Sequence, residues 1–77
     1  MSEIKKTELS FLDRLEIEEH ELQNKVEKLE DFIDNNPSFE EVNDIQRILL
    51  VTQLNAMKMY LYTLQERIYN LLPQTSN

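Results

Sequence analysis

His20 follows Glu16 by four residues, a spacing that puts both side chains on one helix face within reach of a common metal ion. The carboxylate–histidine motif of di-iron bundles needs an acid three residues before its histidine, and Ile17 stands there. A lone histidine in an acidic helix reads as a solvated side chain, so no metal is expected. Glu16, Glu18, Glu19 and Glu21 crowd the same stretch. Paired carboxylates do acid–base work only where a dry, concave pocket separates their proton affinities, and such a cluster otherwise forms a solvent face. The same objection meets any pairing of serine with His20. The expectation is a protein that is not an enzyme and uses no cofactor.

Two other groups of residues point to binding. Arg47 falls one turn into a second helix, beside unsatisfied backbone N–H groups and the positive end of the helix dipole, where an anion can be held. In a symmetric oligomer, copies of Arg47 converging near an axis would concentrate that positive charge. The plainer reading is an ion pair with Asp44, three residues earlier. Tyr60, Tyr62 and Tyr69, with Met57 and Met59, form an aromatic and thioether band. Such a band suits an oligomer interface, and its rings could equally stack on a planar ligand or anchor a partner protein.

The elements that must position these residues are two long helices. Leu12, Leu15, Leu22, Val26, Leu29 and Ile33 advance at heptad-like steps, with Glu19 in the one polar slot. They predict a first helix over about 9–34, opened by Ser10 with Asp13, or by Thr7. Asn35-Asn36-Pro37 breaks it. Ser38 with Glu41 and Asn43 with Gln46 both resemble capping boxes, so a short helical turn is expected inside a loop over 35–43. Phe39 and Val42 would then close the hairpin end. Leu50, Leu54, Met57, Leu61, Leu64, Ile68 and Leu71 alternate by four and three and predict a second helix over about 44–72. Residues 73–77 read as a polar, disordered tail. Lys58 and Arg67 lack a carboxylate three or four residues away on their own helix. An antiparallel hairpin would set them near Glu18/Glu21 and Asp13/Glu16. One all-α, two-helix hairpin domain over 1–77 follows.

The second helix carries more apolar surface than the first can cover. Ile45 to Leu64 holds thirteen apolar residues, no acid, and only Arg47 and Lys58 as charges. A 77-residue chain also builds little stability from its own core, and with no cysteine it has no disulfide. Assembly into a homo-oligomeric helical bundle is therefore expected, with Leu50, Leu54, Met57, Tyr60, Leu61, Leu64 and Ile68 at its interfaces. Fifteen acidic against eight basic residues, a net charge of −7, repel the phosphates of duplex DNA or RNA. The absence of glycine excludes glycine-rich phosphate loops. Gln46, Arg47, Gln53, Asn55 and Lys58 interrupt the most apolar window, which argues against a membrane span. The opening residues lack the apolar stretch of a signal peptide, so a cytoplasmic protein is expected.

The seam of the first helix, from Leu12 through Arg14-Leu15, Glu18, Glu21-Leu22, Lys25 and Lys28-Leu29 to Phe32-Ile33, goes with a second stretch. That one runs Gln46-Arg47-Ile48-Leu49-Leu50, Gln53-Leu54-Asn55-Ala56-Met57, Tyr60-Leu61, Leu64 and Arg67-Ile68. Together, over about residues 9–71, they resemble the crAss-phage-related family of small helical phage proteins. The order Arg47, Thr52, Leu54, Ala56, Met57 is more weakly similar to the hairpin of phage anti-CBASS and anti-Thoeris sponge proteins. Those homo-oligomers sequester cyclic-nucleotide or cyclic ADP-ribose immune signals without degrading them. The resemblance implies ligand contacts from Arg47 and Thr52 early in the second helix. It also implies an aromatic and a basic residue on the first, for which Phe11 and Lys25 stand.

Two functions from different classes follow. One is a phage anti-defence sponge acting in the host bacterial cytoplasm, with an anionic nucleotide signal held between subunits. The other is a helical interaction module, regulatory or structural, that docks on a host or phage protein and takes no small ligand.

Overall fold

A computed structural model describes the backbone of residues 6–72 and the side chains of residues 11–72. It contains two long helices, α1 (Lys6–Asn35) and α2 (Asp44–Leu71), joined through a 3₁₀ turn, Pro37–Glu41. No strand occurs among the described residues. The helices pack on each other as an antiparallel hairpin. Two polar ties across it fix the direction: Lys58 Nζ sits 2.8 Å from Glu30 Oε2, and Gln65 Nε2 donates to Glu19 Oε2 at 3.1 Å.

The heptad-like seams make the contact. Leu15, Leu22 and Val26 of α1 are buried against Leu54 and Leu64 of α2, with Leu64 only 1% exposed. Leu29, Ile33, Met57, Leu61 and Ile68 are half-buried around them. Glu19 keeps the seam's polar position by accepting from Gln65, so its carboxylate is hydrogen-bonded at the edge of the core. Leu71, at the end of the α2 seam, is instead 48% exposed.

Several local expectations change. The backbone is already helical at Lys6, so neither Thr7 nor Ser10 opens α1. Their side chains lie outside the described residues, as does the tail over 73–77. At the break, Asn36 is extended (φ −98°, ψ 120°) because Pro37 disfavours the α region in the residue before it. Its side chain accepts from the Ser38 N–H at 2.9 Å, so Asn36, not Ser38, caps the turn. Asn43 caps α2 by accepting from the Gln46 N–H at 2.9 Å. Leu72 is likewise extended ahead of Pro73 and donates to the carbonyls of Ile68 and Tyr69.

The register also differs from the one drawn through charge pairing. Lys58 meets Glu30, well C-terminal of Glu18 and Glu21. Arg67 makes no ion pair with Asp13 or Glu16 among the described residues. Extending the tie at Lys58 along both helices leaves the first turns of α2 beyond the end of α1. The 3₁₀ turn bridges this overhang, and Phe39 closes it by packing edge-to-face on Phe32, with ring centroids 5.8 Å apart.

The caps yield a direct comparison. Asn43→Ala should cost about 1 kcal/mol in urea unfolding, while Ser38→Ala should stay within about 0.5 kcal/mol of wild type. Equal costs at both positions would contradict the assignment of caps.

Candidate functional site

The overhanging start of α2 forms one wall of an open groove. Asp44, Arg47, Ile48, Val51 and Thr52 line it from α2, and Phe39 closes it from the 3₁₀ turn. Helical spacing explains the set, since residues three and four apart share a face. The overhang explains why the face is open, because α1 ends before it can cover these turns. The groove is therefore apolar on Phe39, Ile48 and Val51, with one cation and one hydroxyl set among them.

Arg47 is held on two sides. One guanidinium nitrogen pairs with Asp44, three residues back on α2, and the other lies 3.4 Å from Glu40 Oε1 on the 3₁₀ turn. Its side chain is 32% exposed, whereas both carboxylates are largely in water at 78% and 85%. Ion pairs to such exposed acids are screened and weak, so an anion can compete for the guanidinium without breaking a buried network. Thr52 Oγ1 donates to the Ile48 carbonyl at 2.9 Å, which leaves the hydroxyl oxygen able to accept.

The structure thus brings Arg47 and Thr52 into one groove, and it does not bring Phe11 or Lys25 there. Phe11, 41% exposed, lines a separate groove near the far end of the hairpin with Tyr62, Thr63, Arg67 and Asn70. Lys25 is exposed midway along α1. Within a single chain these two stand apart from Arg47. Of the residues expected at interfaces, Leu54 and Leu64 are buried within the hairpin, and Leu50, Met57, Leu61 and Ile68 are half-buried. Tyr60 faces outward at 46% exposure. His20 lies with Asp13, Glu16, Ile17 and Glu21 on an open patch of α1. No group of three or more histidine or acidic side chains suited to a metal ion occurs among the described residues.

Phe39 and Glu40 belong to the site although the helical pattern of α2 does not contain them. Asp44 was legible as a partner of Arg47 at i−3, but Glu40 reaches Arg47 across the cap, a contact that no helical spacing encodes. The only sequence signal for it was the expected turn between the helices, which carries Phe39 and two acids.

A family model described as Sequestin matches residues 9–70 of the 77. The chain belongs to the Sequestin family. The match takes in the α1 seam, the α2 seam as far as Ile68 and the whole Arg47 groove. No curated protein and no solved structure matches the chain. Among the described residues no helix is long and apolar enough to cross a membrane.

If the clamp on Arg47 is weak, a double-mutant cycle with Glu40→Gln and Arg47→Gln should return a coupling of no more than about 1 kcal/mol. A coupling of several kcal/mol would show the guanidinium locked in place and withdrawn from ligands.

Proposed function

We propose that this protein is a phage-encoded sponge. It holds a cyclic nucleotide or cyclic ADP-ribose type immune signal in pockets between its own copies, in the cytoplasm of the infected bacterium, and releases it unchanged. Membership of the Sequestin family carries this reading, since the family's name denotes sequestration. The groove supports it chemically. A phosphate would take the place of Glu40 and Asp44 on Arg47 through charge-assisted hydrogen bonds, which are roughly twice as strong as neutral ones. A sugar or phosphate donor would meet the Thr52 hydroxyl oxygen. The faces of Phe39, Ile48 and Val51 suit the apolar body of a base or ribose.

In this reading the groove holds its ligand without acting on it, and Glu40 and Asp44 serve only to hold Arg47 in the ligand-free state. Phe11 and Lys25 would enter a ligand site only as contributions from other copies of the chain.

The exposed Met59, Tyr60, Tyr62 and Tyr69 favour a second reading, a helical module that docks on another protein and binds no small ligand. Titration calorimetry with cyclic di- and trinucleotides and cyclic ADP-ribose isomers separates the two. The sponge reading expects one signal to bind at micromolar levels or tighter. Arg47→Glu should weaken it by about 100-fold, from lost charge-assisted bonds plus repulsion, with the mass of the assembly unchanged. Absence of binding to the whole panel, or an Arg47→Glu variant that binds as well as wild type, would remove it.

A further inference from the structure

α2 carries a second seam. Ile45, Ile48, Thr52, Asn55, Met59 and Tyr62 advance by three, four, three, four and three, the same alternation that packs the helix on α1. At about 100° per residue this ladder lies nearly opposite Leu50, Leu54, Met57, Leu61, Leu64 and Ile68. All six of its residues are exposed, Ile48 and Met59 at 65% and 66%. A helix with two opposed seams needs two partners, and α1 occupies only one.

The ladder fits a second copy of itself. In an antiparallel pairing of two α2 helices, Ile45 faces Tyr62 of the other copy, Ile48 faces its Met59, and Thr52 faces its Asn55. Apolar side chains then meet apolar ones. The two polar positions meet each other about the twofold axis, where hydroxyl and amide can hydrogen-bond. Leu49 is brought beside Ala56 on the flank. No acid lies between Ile45 and Leu64, so this contact places no carboxylate against another. A parallel pairing continued one step along the ladder would set Glu66 on Glu66, a like-charge contact that disfavours it.

We propose that two copies associate through this ladder, antiparallel, and that the contact completes the Arg47 groove. The groove shares Ile48 and Thr52 with the ladder. Met59 and Asn55 of the second copy therefore border the groove of the first, and the reverse holds about the twofold axis. Two equivalent half-open grooves become two sites, each walled by both chains. The pairing stands independently of any ligand, and its part in the site rests on the sequestering reading.

The chain has no cysteine, so engineered thiols report without background. Positions 48 and 59 lie about 16 Å apart along one helix, too far for a bridge within a chain. Under mild oxidation the double variant Ile48→Cys/Met59→Cys should run as a covalent dimer on a non-reducing gel. Each single variant should stay monomeric on that gel, and circular dichroism should show wild-type helicity throughout. Efficient cross-linking of Ile48→Cys alone would overturn the antiparallel register, and failure of the double variant to cross-link would overturn the pairing. Because Ile48 itself lines the groove, the nucleotide panel is titrated against the wild-type protein. Cross-linking of the double variant without nucleotide binding by the wild type leaves the pairing intact and sinks only the sequestering reading.

Discussion

Everything in this hairpin depends on one narrow contact, the burial of Leu15, Leu22 and Val26 against Leu54 and Leu64. A two-helix chain can cover only one stripe of each helix, and this one spends its most apolar heptad positions on that stripe. α1 answers with acids on its remaining surface. α2 does not: Ile45, Ile48, Leu49, Met59, Tyr62 and Tyr69 stay exposed on a helix with almost no compensating charge. A core this small gives little stability on its own, and an apolar face this broad leaves much to be gained by association. Both facts come from the same geometry.

The offset between the helices turns that geometry into a site. Because Lys58 pairs with Glu30, the first turns of α2 stand clear of α1, and Arg47 and Thr52 stand with them. The 3₁₀ turn supplies Phe39 as a wall and Glu40 as a placeholder on the guanidinium. A cation neutralised by exposed acids stays charged and oriented while free of ligand, yet gives up its partners at small cost. That suits the sequestering role proposed for the groove.

Much of this was legible in the sequence. Three-four spacing gave both helices and the residues that bury between them, because the helical period is set by backbone geometry and is indifferent to context. Asn43 was legible as a cap because its amide satisfies a backbone N–H close by in the chain. Register was not. Lys58 can reach several acids on a facing helix, and which one it meets depends on how the turn packs, here through Phe39 on Phe32. Ser10 resembled a helix start only because the local capping pattern outranked the helical residues before it. At the site, the Asp44 pairing follows from spacing within one helix, whereas Glu40 reaches Arg47 through space. Phe11 and Lys25 were placed by resemblance alone, and the hairpin holds them away from Arg47 within one chain.

The most direct test of the whole account is native mass spectrometry of the purified protein incubated with mixed cyclic di- and trinucleotides and cyclic ADP-ribose isomers. The account predicts an assembly with an even number of chains. It should carry one kind of nucleotide in fixed ratio to the chains, and the nucleotide should be recovered at its original mass after the protein is denatured. A bare monomer would contradict the role given to the open face of α2. An assembly that releases a cleaved nucleotide, or takes up none, would contradict sequestration at Arg47.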